Sequence, residues 1–213
     1  MNKIRTLTQL HDFLNSEFLW RLREIDDLKS SVRSSSSLRR NTLIRAGIPL
    51  LYAHWEGFVK NSSLGYINFV NSRRLRYEDI ASCFIVFGLK RKLSQLSSSG
   101  QSRFNTEIID FLLEGLSEKA VLQLGNTVDT ESDLSSSVFE NIALSVGIDP
   151  APFEARYHLM DESLLKRRNI IAHGEYIDLT PDDYRKLADE VIMLMRNYKT
   201  EIENAAVLKK YLR

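Results

Sequence analysis

Cysteine is almost absent from this chain of 213 residues: Cys83 stands alone, in the apolar run from Ile80 to Leu89. One cysteine makes neither an intrachain disulfide nor a thiolate zinc site, so a reducing cytosol is the expected compartment and Cys83 is expected to be a small buried hydrophobe. No His-Glu-x-x-His spacing is present, and Asp26-Asp27 and Asp182-Asp183 are expected to be solvated or capping acids, so no metal is expected. The nine glycines never form a phosphate-binding loop, and no G-x-S-x-G elbow occurs, so no cofactor is expected either. An excess of one charge is lacking too: 29 lysines and arginines face 28 acids, which leaves any nucleic-acid affinity to a local stripe. The apolar run is about half the length of a membrane span, and Met1 to Leu7 holds no hydrophobic signal region. A cytoplasmic protein without membrane contact is the expectation.

Helical periodicity is what the chain has instead. Leu7, Leu10, Leu14, Phe18, Leu22, Ile25, Leu28 and Val32 step by three or four, the pattern of one buried stripe. Ser34 to Ser37 interrupt it as a mobile connection. A second helix is expected to start before Leu43, bend near Gly47 and Pro49, and run through Trp55, Phe58 and Tyr66 to Val70. A third spans about Tyr77 to Leu96, and a fourth about Arg103 to Leu116. Val121 to Leu124 is open between a short strand and a helical turn. Val138 to Val146 forms a short helix stopped by Gly147, and Pro150 and Pro152 enforce a loop. Asp161 is the expected N-cap of the next helix. Thr180-Pro181-Asp182-Asp183 announces the last one, with cap, proline and first-turn acids in order. Its stripe is Tyr184, Leu187, Val191, Met195, Tyr198, Ile202 and Ala205.

Arg167-Arg168-Asn169-Ile170-Ile171-Ala172-His173-Gly174-Glu175 is the most informative string. It sets a permanent cation five residues before the side chain that exchanges protons near neutral pH. Spacing alone is weak, because four histidines in such a chain give about one arginine-to-histidine match by chance. Arg5 before His11 is such a match, inside an ordinary amphipathic segment. Context separates the two: Gly174 can adopt the left-handed conformation that ends a helix, which puts His173 beside open carbonyls.

The stretch Lys166 to Gly174 resembles the Arg-x4–6-His signature of the HEPN superfamily. Leu51-Tyr52-Ala53-His54-Trp55-Glu56-Gly57-Phe58-Val59-Lys60 is similar to the early helix of its RiboL-PSP-type branch. The resemblance implies an all-α fold, a HEPN-like bundle of about six to eight helices, as one domain over 1–213. It also implies a metal-independent endoribonuclease of a toxin–antitoxin or anti-phage defence system, with RNA as substrate. A homodimer with a composite site and an antitoxin or defence partner follow from the same likeness, as does a 2′,3′-cyclic phosphate product.

Attack of a ribose 2′-hydroxyl needs proton transfer and a group to hold charge gathering on phosphorus. His173 is expected to move the proton and Arg168 to clamp the phosphate. Asn169 is expected to orient the histidine or the phosphate by hydrogen bonding, Arg167 with Lys166 to add affinity, and Glu56, on the resemblance, to lie nearby and orient Arg168. On an ideal helix Arg168 and His173 point about 140° apart. A distorted helix end, a long arginine reach or a second subunit could bring them together; the second subunit is favoured, because one chain offers one convincing histidine. The helix end favours a charged imidazole and the arginines oppose it. Arg73-Arg74-Arg76 and Lys90-Arg91-Lys92 read as solvated faces that could line an RNA path. The alternative function is a catalytically inactive helical module that binds RNA or protein.

Overall fold

Three long helices carry the architecture. In the computed structural model, which describes residues 3–89, 102–122 and 133–213, α1 (Leu7–Ser34), α2 (Ser37–Ser72) and α7 (Pro181–Val207) pack on one another. Shorter helices fill in around them: α3 (82–89), α4 (Ser102–Glu114), α5 (Ser136–Ser145) and α6 (Lys166–Ala172). Among the described residues these seven helices are joined by no strand, only by isolated bridges Arg76–Lys119 and Ile80–Leu212. The fold is all-α, as the resemblance implied, and no described helix is long and apolar enough to cross a membrane.

Local chemistry explains the helix ends. Thr6 caps α1 by accepting from the Gln9 N–H at 3.1 Å. Thr180 accepts from the Asp183 N–H at 3.1 Å while Asp183 accepts from the Thr180 N–H, a closed capping box with Pro181 at the first position. The stripe expected on α7 is buried throughout, whereas Leu7 of the α1 stripe sits in the first turn and is exposed. The connection between α1 and α2 shrinks to Ser35 and Ser36, and Pro49 lies inside α2.

Several expectations shift. The helix expected from Tyr77 begins at 82, because the backbone before it pairs elsewhere: Tyr77 N–H to the Glu118 carbonyl at 3.1 Å and Ala81 N–H to the Tyr211 carbonyl at 2.9 Å. Tyr77–Asp79 is a 3₁₀ turn. The prolines open a 3₁₀ helix, Ala151–Arg156, rather than a loop. Asp161 caps α5 instead of its own helix, taking the Ser136 N–H at 2.7 Å and the Ser136 hydroxyl at 2.6 Å. Val121 and Leu122 are neither helix nor strand; Gln123, Leu124 and the Lys90-Arg91-Lys92 cluster lie outside the described residues.

An aromatic knot fixes the helices that bear the candidate site. Trp55 of α2 meets Phe139 of α5 at 5.2 Å, Phe139 meets Phe153 at 5.0 Å, and Phe139 meets Tyr198 of α7 at 5.5 Å. All four are buried, and the Tyr198 hydroxyl bonds Ser63 at 2.7 Å. Truncating a ring here costs about 3–5 kcal/mol by removing surface and leaving a void.

Candidate active site

The segment that carries the arginine–histidine string begins with a widened turn. Leu159–Leu165 is π-helical and runs straight into α6, a feature often found at functional sites. At the far end Gly174, with φ +80°, closes the helix: Glu175 N–H reaches the Ile170 carbonyl and Gly174 N–H the Ile171 carbonyl, both at 3.0 Å. This pair of bonds is a Schellman cap, and it makes His173 the C-cap residue. Arg45 of α2 ties down the following loop by donating to the Glu175 carbonyl at 2.6 Å.

Arg168 points inward from α6. Its guanidinium carbon lies 4.2 Å from the Tyr52 ring centre, a cation–π contact, and Nη2 donates to Asp133 Oδ1. Asn169 Nδ2 makes a long 3.5 Å bond to the other oxygen of the same carboxylate. Next door, the Leu134 N–H donates to the Tyr52 hydroxyl at 2.6 Å. One short segment, 133–136, is therefore fastened to α2 through Tyr52, to α6 through Arg168 and Asn169, and to the π turn through Asp161. The Arg168 side chain keeps 22% of its exposure, so solvent reaches one edge of it.

Electrostatics hold the cation. Burial works against the Arg168 charge, yet its contacts with Tyr52 and Asp133 outweigh that and hold it above the ordinary arginine value. Burial pushes the Tyr52 phenol up, against the Leu134 N–H and Arg168 and with help from the Glu56 carboxylate. Arg168 Nε–H is buried without a hydrogen-bond partner among the described residues.

The other residues singled out from sequence are placed as follows. His173 is exposed, and no hydrogen bond or ion pair of its ring is found among the described residues. No such bond joins it to Arg168 within the chain either, in keeping with a regular helix between them. Arg167 is half-buried and its charge acts on Asp183 at the start of α7. Lys166 is exposed and pairs with Glu162 at 2.6 Å. Glu56 is half-buried beside Tyr52, and the carboxylate bonded to Arg168 is Asp133 rather than Glu56.

Tyr52 and Asp133 were not singled out by sequence reasoning. Tyr52 lay inside the quoted α2 patch, where nothing but the fold marks it off from its neighbours. Asp133 lies in a polar segment without periodicity, and only long-range packing brings it to α6.

The comparisons with known proteins agree with this architecture. The sequence profile described as RiboL-PSP-HEPN matches residues 16–204, which takes in α2, Asp133 and all of α6. No curated protein and no solved structure matches the chain. The chain belongs to the RiboL-PSP-HEPN family.

Proposed function

We propose that this protein is a metal-independent endoribonuclease in which Arg168 binds the scissile phosphate and His173 transfers the proton. HEPN proteins are commonly ribonuclease-related, which supplies the reaction class. The observation that carries the reading is the contrast within one helix: a guanidinium fixed by two side chains, Tyr52 and Asp133, and an exposed imidazole with nothing bound to it among the described residues, on a glycine cap. Tyr52 and Asp133 set the plane of the guanidinium. The orphaned Nε–H, worth about 1–3 kcal/mol in lost solvation, is a donor that a phosphate oxygen satisfies once the group turns outward. Asn169 steadies Asp133, and Arg167 adds positive potential along the approach.

The reaction joins a ribose 2′-oxygen to phosphorus and expels the 5′-oxygen of the next nucleotide, leaving a 2′,3′-cyclic phosphate. One proton leaves the 2′-hydroxyl and one reaches the leaving oxygen. The imidazole can serve one of these transfers at a time, and a two-fold dimer supplies the second histidine together with a second arginine. On an ideal helix the two side chains point about 140° apart, which is a reason for the dimer. A cytoplasmic toxin or effector, restrained by an antitoxin or another defence protein, is the biological setting in keeping with this chemistry.

Mixing tests the shared site. Arg168→Ala and His173→Ala proteins, each inactive alone, are expected to regain part of the wild-type RNA cleavage when co-refolded; no recovery places both residues of a working site in one chain.

A specific observation favours a second reading. Asp133 already occupies the Arg168 guanidinium, as in a silent helical module that keeps the pair for packing. That reading predicts no cleavage by the wild-type protein, and an Arg168→Ala defect in stability alone.

A further inference from the structure

With cations and acids nearly balanced at 29 to 28, any electrostatic preference must come from their uneven placement. One cavity shows such placement. It measures about 710 Å³ and lies where the start of the chain crosses the C-terminal end of α2, against residues 119–121. Lys3, Arg5, Arg74 and Lys119 charge it, Asn71 and Ser72 add polar groups, and no carboxylate of the described residues lines it. None of the four cations forms an ion pair among the described residues; the nearby Glu78 is taken by Arg76 at 3.2 Å.

A second cavity makes the contrast. It measures about 660 Å³ between the C-terminal half of α1 and the start of α7, and it also holds four cations, Lys29, Arg33, Arg40 and Arg185. There Asp26 and Asp182 share the lining, Lys29 bonds Asp189 at 2.6 Å and Arg185 bonds Asp182 at 2.6 Å. Two of its four cations are thus paired with acids, Arg40 is turned to the Val32 and Ser35 carbonyls, and two carboxylates offset the rest. In the first cavity no cation is paired with an acid among the described residues.

The walls of the first cavity are fixed while its charges stay free. Leu122 N–H donates to Asn71 Oδ1 at 3.0 Å, Ala120 N–H to the Leu75 carbonyl at 2.8 Å, and Arg73 bonds the Arg5 carbonyl while its guanidinium carbon stays 4.3 Å from the Phe69 ring centre. Among the described residues no aromatic side chain lines the cavity, so they offer a base or nucleoside no ring to stack on. What four cations without a stacking platform recognise is a run of phosphates.

We propose that this cavity is a second anion site that binds the phosphodiester backbone of single-stranded RNA without reading its bases. It lies about 28 Å along the α2 axis from Tyr52, far from the Arg168–His173 pair. The proposal rests on the reading of the chain as an RNA-acting protein, and names a contact to RNA outside the reacting centre.

The test uses the full chain carrying His173→Ala and a fluorescein-labelled 2′-O-methyl RNA, which cannot be cleaved through its own 2′-oxygen. Anisotropy in EDTA gives affinity against salt for that protein and for the same protein with Lys3→Gln, Arg5→Gln, Arg74→Gln and Lys119→Gln together. A control removes four cations elsewhere, Arg23→Gln, Arg39→Gln, Lys60→Gln and Lys210→Gln, and circular dichroism confirms that each protein folds. The expected result is a slope of log affinity against log salt shallower by about 2 to 3 in the cavity variant, with affinity down roughly tenfold or more, and the slope held in the control. An unchanged slope, an equal loss in the control, or no RNA binding by the starting protein overturns the proposal. Displacement of the RNA by ATP or inorganic phosphate at low concentration and matched ionic strength overturns the RNA assignment in favour of a free phosphate compound. Cleavage is read separately: the four cavity substitutions in the otherwise wild-type chain are expected to raise KM for long RNA and to spare a dinucleotide too short to span both sites. Absence of wild-type cleavage would strike the nuclease reading and leave the binding result to decide this one.

Discussion

Arg5 and His11 open the molecule and Arg168 and His173 come near its close, and the two pairs have nearly the same spacing. In the fold they part company. Both nitrogens of His11 are engaged, Nδ1 with Glu203 at 2.6 Å and Nε2 with Asn15 at 2.7 Å, which pins α1 to α7. Arg5 faces a cavity of its own and has no dealings with that histidine. At the other end the roles reverse: the arginine is held, by Tyr52 and Asp133, and the imidazole is left open on a glycine cap. An imidazole bound on both sides is a structural cross-link. One bound on neither side among the described residues is left open to a ligand. The comparison shows that spacing selects candidates, and partners decide between them.

The largest expected effect separates the pairs directly. His173→Ala is expected to lower RNA cleavage by about 10²–10⁴-fold, read from gel-resolved turnover of labelled RNA, whereas His11→Ala leaves turnover intact and costs at most about 1 kcal/mol through its exposed ion pair. Equal losses from both would erase the distinction. Next comes Asp133→Ala, which frees the guanidinium to wander; cleavage is expected to fall by up to about 10²-fold, chiefly in kcat, with Asp133→Asn recovering part of it through the amide oxygen. A rise in activity would instead make Asp133 a plug in the phosphate site.

Gly174→Ala probes the cap. Nothing lies within 4 Å of an added Cβ, so the cost is the left-handed backbone alone, about 1–2 kcal/mol by denaturant melt. Cleavage should drop further than stability explains, because the cap aims His173.

The smallest effect concerns His54, buried on α2 with Nε2 3.0 Å from Glu24. Burial lowers its value from 6.5, against the pull of Glu24. Above 6.5 the imidazole is neutral in both states and costs nothing; below it the unfolded chain takes the proton first, so stability falls as pH drops toward the folded value. His54→Gln is expected to flatten that slope, which stays under about 1.4 kcal/mol per pH unit in urea melts. A slope that survives the substitution belongs to other groups.

Much of the fold was legible in advance for a physical reason. The stripes of α1 and α7 repeat at helical spacing over many turns, and Thr180-Pro181-Asp182-Asp183 states its cap in local chemistry. Gly174 announced its positive φ in the same way. What local pattern could not carry was pairing over distance. Asp161 bonds Ser136, Asp133 bonds Arg168, and Tyr77 bonds Glu118, each across a gap that only the assembled core closes. The candidate site divides along the same line: Arg168, Asn169 and His173 stood in one string, whereas the groups that hold Arg168 had to be brought to it. Glu56 acts on Tyr52 from the same helix, while the carboxylate bonded to Arg168 is Asp133.

Arg168 and His173 are proposed to break RNA without a metal. The most direct measurement is cleavage of an end-labelled RNA in excess EDTA by wild-type and His173→Ala protein, with the product ends identified. Fragments ending in a 2′,3′-cyclic phosphate are expected from the wild type and none from the variant. Cleavage that survives His173→Ala unchanged, or no cleavage by a folded wild-type protein, would contradict this reading.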